Sequence, residues 1–384
     1  MVYLYIYSIA NMPSITESIS SMFSSSHKGS SVGIDIGASS IKIVEVEKVD
    51  ERAVLKNYGE ISLGPRAGVS VGQATSLPPE SVAEALNDLL QEAGIFPRHT
   101  SFAIPFSASL LSVAEFPEVS RKEFESMVPL EARRYIPVPL SEVSLDWWVL
   151  PKRKLGQKTE TLTAGAPAGK IEVIIAAIHN EVIKKYEVIR NAVHIGGDAI
   201  HFEIEIFSTL RAVVGRDLSP IMVIDIGAGS TKLALVDEGV VRGSHVIATG
   251  GQDITHSLAK SMNIPFSEAE ERKCRIGLIG DEEGRDIKVV AEIILMNITN
   301  EAARFVDNYE RKYGVKVGKF ILVGGGARLK GIESIVEKSF PGVSVTVGDP
   351  FERLDTPAFL APTLKGLSPN FAVAVGVALK GLEE

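Results

Sequence analysis

Two nine-residue segments of this chain place aspartate, serine and lysine side chains at matched positions. The segments cover residues 34–42 and 224–232, and seven of their nine residues are identical, at an offset of 190 residues. In each, an apolar run leads into Asp-Ile-Gly, small residues follow, and a lysine stands seven residues beyond the aspartate. Apolar runs joined by a tight turn of small residues predict two β-hairpins of one design.

The residue types in these hairpins are suited to holding phosphate groups together with a divalent cation. Asp35 and Asp225 end strands that we expect to be buried, and a buried carboxylate is unfavourable unless it is paired or coordinated. Facing each other across a cleft, the two carboxylates would hold the water shell of a Mg²⁺ ion. Glycines permit close backbone approach, turn amides form an anion-binding concavity, and hydroxyl and ammonium groups add donors. The predicted phosphate-binding residues are Gly37, Ser39, Ser40 and Lys42 in the first hairpin and Gly227, Gly229, Ser230, Thr231 and Lys232 in the second.

A third segment that could bind a nucleotide is rich in glycine and follows a predicted strand at residues 320–323. Residues 324–326 are all glycine, so a flat base or a ribose could lie against bare backbone. Leu329 occupies the last glycine position of a dinucleotide-binding fingerprint, and no Gly-Lys-Ser/Thr sequence follows, which excludes a Rossmann motif and a P-loop. Glu270 and Lys273 share one face of a predicted helix, a pattern that by itself is typical of a solvated surface.

The composition bounds the class of protein. The 384 residues are enough for two domains, and 45% hydrophobic and 23% charged residues are ordinary values for a globular chain. The net charge of −8 argues against nucleic acid as the main partner. Cys274 is the single cysteine, which excludes an internal disulfide framework and a cysteine-built metal cluster and suits a reducing compartment. The sequence has no run of about 18 uninterrupted apolar residues, so it predicts no transmembrane helix.

Predicted strands and helices alternate along the chain, which indicates an α/β protein with mixed sheets covered by helices. Residues 201–214 are predicted to form one of these helices, and the basic residues of the segment 152–158 a surface loop. Residues 1–31 are predicted to be an N-terminal extension. A poorly ordered tail, an over-extended start and a short docking helix with a capping-box spacing between Ser14 and Glu17 are the alternatives for it.

Taken in this order, the two hairpins, the charged helix pair and the glycine-rich loop resemble the actin-like ATPase superfamily, which includes actin, sugar kinases, DnaK-type chaperones and FtsA. Within the superfamily the chain most closely resembles the PilM family of type IV pilus assembly. The resemblance runs from about residue 31 to the end and is carried by residues 32–42, 131–137, 146–150, 205–211, 320–329 and 369–379.

The resemblance implies an actin-like two-domain ATPase fold, in which duplicated ribonuclease-H-like domains carry an inserted subdomain of the FtsA and PilM type. Domain I would span residues 32–220 with the insertion at about 109–190. Domain II would span residues 221–368, and residues 369–384 would form a connector helix that returns to domain I. The other connector helix would lie within the predicted helix at residues 201–214.

The resemblance further implies ATP in the cleft between the domains, with Mg²⁺ held through water by Asp35 and Asp225. Glu205 is the implied residue for ordering an attacking water, although nucleotide binding alone would not require one. Weak ATPase activity is compatible with this arrangement, and the sequence leaves hydrolysis open. The implied ribose and base contacts are Glu270, Lys273, Gly324, Gly325, Gly326 and Arg328.

The family resemblance also implies a partner and a place in the cell. The expected function is that of a cytoplasmic ATP-binding scaffold at the inner membrane, in a type IV pilus or related secretion complex. Its expected partner is the N-terminal cytoplasmic peptide of a PilN-like bitopic inner-membrane protein, which would dock between domain I and the inserted subdomain. Contact with the membrane would then be indirect, and self-association is compatible with this function.

Two alternatives remain open from the residues alone. An FtsA-like cell-division protein would be tethered to the membrane and form filaments. FtsA normally ends in a linker and an amphipathic helix, whereas this sequence ends at residues 381–384, directly after the predicted connector, which favours the pilus function. A small-molecule kinase would need a general-base carboxylate over a substrate pocket, and the sequence offers no candidate for it.

Overall fold

The computed structural model describes residues 29–96, 99–117, 121–151, 170–193, 199–279 and 282–383. The predictions for residues 1–28 and for the basic segment 152–158 lie outside these ranges. Among the described residues, no helix combines the length and the apolarity that a membrane crossing requires.

The first sheet has five strands in the order β3-β2-β1-β4-β8. The chain runs antiparallel from β1 through β2 to β3, and β4 and β8 then add parallel strands on the other side of β1. Its strands are β1 (Ser30–Ile36), β2 (Ser40–Val49), β3 (Arg52–Ser62), β4 (His99–Ile104) and β8 (Ala199–Ile204).

The second sheet repeats this arrangement with later parts of the chain. Its order is β11-β10-β9-β12-β13, again with two antiparallel and two parallel pairings. The strands are β9 (Ile221–Ile226), β10 (Thr231–Asp237), β11 (Val240–Ile247), β12 (Lys319–Val323) and β13 (Ser344–Val347). We call the parts of the protein built on the two sheets the first and second lobes. The matching topologies confirm the predicted actin-like α/β fold.

Ten α-helices cover the sheets within the described residues. In α1, apolar residues at helical spacing, among them Val82, Leu86 and Leu89, are buried in the core of the first lobe. The helices are α1 (Pro79–Glu92), α2 (Arg121–Ala132), α3 (Asn180–Ala192), α4 (Glu205–Val213), α5 (Gly251–Met262), α6 (Phe266–Ile276), α7 (Glu282–Tyr313), α8 (Ile332–Ser339), α9 (Ala361–Leu367) and α10 (Ala372–Glu383).

A third sheet is inserted between the strands of the first lobe, and we call it the inserted sheet. Its strands are β5 (Ser109–Pro117), β6 (Val143–Val149) and β7 (Lys170–His179), in the order β5-β7-β6. Along β7, odd-numbered residues from 173 to 177 pack in the cluster that contains α2, and even-numbered residues from 174 to 178 join the large cluster that contains residues of both lobes. Because strand side chains alternate between faces, β7 is buried on both sides and holds the inserted sheet against the rest of the protein.

Ionic contacts join the inserted sheet to the second lobe through Glu172 on β7. Arg242 Nη1 of β11 donates to Glu172 Oε2 at 3.0 Å, and Lys312 Nζ of α7 donates to Oε1 at 2.8 Å. Burial alone would raise the pKa of Glu172, but hydrogen bonds from Lys312 and Tyr313, with the charge of Arg242, hold it below its ordinary value. The inserted sheet therefore contacts both lobes.

Two helices, α4 and α10, cross each other in direct backbone contact. At Gly376 of α10, a Cβ atom would stand 1.8 Å from the carbonyl oxygen of Ser208 in α4. Arg211 of α4 reinforces the crossing, because its Nη1 donates to the Gly376 carbonyl at 3.0 Å and its guanidinium pairs with Glu203 at 2.7 Å. Only a residue without a side chain allows the two helices to approach so closely.

The structure corrects the helix predicted at residues 201–214. Residues 201–204 belong to β8, which pairs in parallel with β4, and the helix begins at Glu205. The prediction was wrong in this segment because pairing with the edge of a sheet outweighs the local helical tendency of a short stretch. The domain boundaries inferred from the resemblance stay predictions.

Candidate functional site

The two hairpins have the same backbone geometry. In each, the glycine after the second isoleucine donates its amide to a serine carbonyl, at 3.0 Å from Gly37 to Ser40 and 2.9 Å from Gly227 to Ser230. This turn length places each aspartate directly opposite its lysine on the next strand, Asp35 opposite Lys42 and Asp225 opposite Lys232. The spacing of seven residues is therefore what pairs a carboxylate with an ammonium group across each hairpin.

Both hairpins line one cavity of about 560 Å³ between the lobes, a volume in the range of small-ligand sites. Thr231 is the one predicted residue that does not line it, because its side chain is buried and its hydroxyl donates to the Thr249 carbonyl. The predicted site residues on the cavity wall are Asp35, Gly37, Ser39, Ser40, Lys42, Glu205, Asp225, Gly227, Gly229, Ser230, Lys232, Glu270, Lys273, Gly324, Gly325, Gly326 and Arg328.

Lys232 of the second lobe is held between two carboxylates, those of Asp225 and Glu205. Its Nζ lies 3.3 Å from Asp225 Oδ2 and 3.3 Å from Glu205 Oε1. Burial lowers the pKa of Lys232, but the charges of Asp225, Glu205 and Asp35 outweigh it and raise that pKa. Glu205 also accepts a hydrogen bond from the amide of Phe106 at 2.7 Å. Lys232 is therefore a fixed positive charge at the floor of the cavity.

Three carboxylates, Asp35, Asp225 and Glu205, lie near two lysines, Lys42 and Lys232, in this part of the cavity. Burial raises the pKa of Asp35, the charges of Lys42 and Lys232 oppose the rise, and Asp225 adds to it. Burial also raises the pKa of Glu205, against the charge of Lys232. Because burial is the largest cause of both rises, the charged carboxylates are unfavourable here unless a positive charge compensates them. The part of the cavity around Asp35, Asp225 and Glu205 is therefore suited to receive a cation.

A hydrated Mg²⁺ ion fits this arrangement. Asp35 and Asp225 come from different lobes and act on each other electrostatically, and Mg²⁺ commonly uses one or two carboxylates while keeping several waters. Three or more His, Cys, Asp or Glu side chains do not converge as a metal cage anywhere among the described residues. The donor set therefore suits an ion that is shared with phosphate oxygens rather than one enclosed by protein ligands.

The glycine-rich loop forms a second wall of the cavity by direct backbone contact. Gly324 has a φ of +82°, and a Cβ atom there would stand 2.3 Å from Asp225 Oδ1. A Cβ at Gly326 would stand 2.3 Å from Ile226 Cγ2. Glycine at these positions lets the loop pack onto the second hairpin and leaves backbone facing the cavity.

Glu270 and Lys273 form a hydrogen-bonded network on the cavity wall rather than a solvated helix face. Lys273 Nζ donates to Glu270 Oε2 at 2.7 Å, to the Thr255 hydroxyl at 2.8 Å and to the Gly251 carbonyl at 3.1 Å. Thr255 also donates to Glu270. These contacts hold both charged groups in fixed positions where apolar residues also line the wall, including Ile254, Leu295, Leu329 and Ile332.

Several polar residues of the cavity were not predicted from the sequence, among them Glu60, Gln252 and Asn370. Glu60 of β3 accepts hydrogen bonds from Ser40 and Asn370. Gln252 of α5 accepts one from the amide of Ala74 at 3.0 Å, which ties a loop of the first lobe to the second lobe. Each lies in a different part of the chain, so no short motif signals them.

Two comparisons with known proteins match most of this chain. The family described as type IV pilus assembly protein PilM matches residues 33–382. Cell division protein FtsA of Neisseria meningitidis serogroup B is 25% identical over 366 residues, with 85% of this chain and 86% of that protein covered. These matches span both lobes and the inserted sheet.

Solved structures of other proteins are similar to this chain over most of its length. The PilM-PilN type IV pilus biogenesis complex contains a chain with a TM-score of 0.75 and 26% identity, covering 92% of this chain and 99% of that one. MreB 5 of Spiroplasma citri, solved with bound AMPPNP, has a TM-score of 0.50 and 12% identity, covering 92% of this chain and 96% of that one. At that identity the second structure shows the shared actin-like fold.

Proposed function

Because this chain belongs to the PilM family of type IV pilus assembly proteins, we propose that it is an ATP-binding scaffold of the pilus inner-membrane complex. The observation that carries the nucleotide-binding part is the pair of matched hairpins on one cavity. Each hairpin contributes a turn of small residues, a carboxylate and a lysine, and the glycine-rich loop faces them. The nucleotide would lie with its phosphates at the hairpins and its base near Glu270, Lys273 and Arg328.

In this proposal the turn amides and the two hairpin lysines bind phosphate oxygens, and Asp35 and Asp225 hold the water shell of Mg²⁺. The ion would neutralise phosphate charge and hold the phosphate chain between the lobes. Glu205 is the residue proposed to order an attacking water, supported by its position on the cavity wall beside Lys232. Binding of ATP does not depend on that last role.

Calorimetry on the purified protein tests nucleotide binding directly. We expect one ATP to bind per chain when Mg²⁺ is present, and to bind much more weakly when Mg²⁺ is chelated, because the cavity wall carries five carboxylates and four basic side chains. Titration with inorganic triphosphate is the control for phosphate binding without base contacts. Absence of a saturable ATP signal in the presence of Mg²⁺ would reject the nucleotide-binding function.

The proposed partner is the N-terminal cytoplasmic peptide of a PilN-like membrane protein encoded with this chain. The support is the likeness to the chain of the PilM-PilN complex together with exposed apolar side chains on the inserted sheet and its helix. Leu130 of α2 is 62% exposed and Val149 of β6 is 46% exposed. Exposed apolar groups of this kind would receive apolar residues of an extended peptide. The protein would then act at the cytoplasmic face of the inner membrane.

Fluorescence anisotropy with the labelled peptide tests the partner. We expect saturable binding, a loss of about tenfold in affinity for the double variant Leu130→Asp and Val149→Asp, and no change for Leu218→Asp. Leu218 is a matched control because it is 56% exposed but lies in the segment that leads into β9. Equal binding of a scrambled peptide would contradict the proposal. Polymers on lipid vesicles that require ATP, without peptide binding, would instead support the FtsA-like function.

A further inference from the structure

Glu60 continues a row of charged side chains across the first sheet. It lies directly opposite Lys42, which in turn lies opposite Asp35, so the three occupy neighbouring strands at one level. The corresponding position in the second lobe, opposite Lys232, is Val246. The duplicated lobes therefore differ here, because the first lysine has a second carboxylate from its own sheet whereas Lys232 takes one from Glu205 of α4.

The contacts of Glu60 span two walls of the cavity. Its Oε1 accepts a hydrogen bond from the Ser40 hydroxyl at 2.8 Å and lies 3.9 Å from Lys42 Nζ. Asn370 Nδ2 donates to both carboxylate oxygens, at 3.0 and 3.1 Å. The carbonyl of the preceding Pro369 accepts from the amide of Gly324 at 2.8 Å. Through these bonds Glu60 links the first hairpin to the glycine-rich loop.

The charge of Glu60 lies beside two of the phosphate-binding residues proposed for the first hairpin. Lys42 Nζ donates to the Ser40 hydroxyl at 3.0 Å, and that hydroxyl donates to Glu60, so the donors of the first hairpin form a chain that ends on this carboxylate. The side chain of Glu60 is 32% exposed, so it faces the cavity rather than the core. A carboxylate this close to the hairpin repels phosphate oxygens, and a divalent cation between them reverses that effect.

We propose that Glu60 is a positioning residue of the phosphate site, which holds Ser40 and Lys42 in place and makes nucleotide binding dependent on a divalent cation. The proposal rests on the nucleotide-binding function proposed above. It assigns two separable effects to one side chain. The geometric effect comes from its hydrogen bonds to Ser40 and Asn370, and the electrostatic effect comes from its charge.

The test measures the dissociation constant of ATP with Mg²⁺ and with EDTA. For each variant we take the ratio of the value in EDTA to the value with Mg²⁺. Glu60→Gln keeps the shape, and it can keep one hydrogen bond to each of Ser40 and Asn370 if the Asn370 amide rotates. It removes the charge, so we expect the ratio to fall about five- to tenfold. Glu60→Asp keeps the charge but cannot reach both partners. For that variant we expect a ratio near the wild-type value and weaker binding in both conditions.

Glu45→Gln is the matched control, because Glu45 lies on β2, accepts a hydrogen bond from Asn57 at 2.7 Å and does not line the cavity. It should leave the ratio unchanged. If wild-type protein binds Mg-ATP and Glu60→Gln has the wild-type ratio, the inference about Glu60 is overturned and the nucleotide-binding function stands. If wild-type protein does not bind Mg-ATP, both are overturned.

Discussion

Replacing Asp35 by asparagine is expected to weaken Mg-ATP binding by about 10–100-fold, because outer-sphere partners of a metal ion typically contribute that much to its affinity. Asparagine keeps the size of the side chain and removes the charge that would hold the water shell of Mg²⁺. Isothermal titration calorimetry with Mg-ATP measures the loss. An affinity equal to that of wild-type protein would reject the role of Asp35 at the metal.

The same substitution is expected not to destabilise the ligand-free protein. Burial raises the pKa of Asp35 in the folded state above the value of about 3.9 that an unfolded chain has. Between these two pKa values the folded protein holds a proton that the unfolded chain has released, so the free energy of unfolding falls as the pH rises. The Asp35→Asn variant has no carboxyl group at this position, so its free energy of unfolding lacks this decrease with pH. Its stability relative to wild type should therefore increase from about pH 4 upward.

Denaturant unfolding in EDTA at several pH values measures this difference. Asp88→Asn is the control for ATP affinity, which it should leave unchanged, because Asp88 pairs with Arg66 on the surface and its side chain is 58% exposed. A variant at Asp35 that loses ATP binding and is also strongly destabilised at pH 8 would mean that the carboxylate serves the fold rather than the ligand.

Replacing Gly376 by alanine is expected to lower the free energy of unfolding by about 3 kcal/mol. Two effects of opposite sign compete. Alanine in a helix interior is intrinsically favoured over glycine by about 0.5–1 kcal/mol. Its Cβ atom would stand 1.8 Å from the Ser208 carbonyl, so α4 and α10 must separate and the bond from Arg211 to the Gly376 carbonyl weakens. The steric effect is the larger one.

Gly366→Ala provides a control with the opposite expected sign. Gly366 lies in α9, and a Cβ atom there would meet no heavy atom within 4 Å. Only the helix preference then acts, and we expect a gain of about 0.5 kcal/mol. Urea denaturation of both variants is the measurement. Equal effects of the two substitutions would show that the helix crossing tolerates separation.

Much of the phosphate site was open to prediction because its geometry is local. A hairpin with a short turn fixes which residues face each other, so the spacing of Asp35 and Lys42 already implied their pairing. The repeat of that spacing at Asp225 and Lys232 implied two such hairpins, and the structure places both on one cavity. Helix α4 was predicted too long, because the pairing of residues 201–204 with β4 depends on a distant strand.

Tertiary structure decided the surroundings of these hairpins. The two-residue turn at Asp50 and Glu51 would by simple counting put Gly59 opposite Lys42, but a β-bulge between Glu45 and Val46 shifts the register by one residue. A matched irregularity lies between residues 235 and 236 of the second lobe. Because one residue of shift exchanges the two faces of a strand, the bulge is what brings Glu60 to the cavity.

The amino-acid sequence by itself determined the elements whose partners lie within a few residues, namely the two hairpins and the glycine-rich loop that follows β12. The tertiary structure alone decided which unpredicted residues converge on them from afar, namely Glu60 of β3, Gln252 of α5 and Asn370 ahead of α10. The physical reason is the range of the interactions. Turn geometry and strand alternation act over a few residues, whereas these contacts exist only once two lobes and two crossing helices have packed.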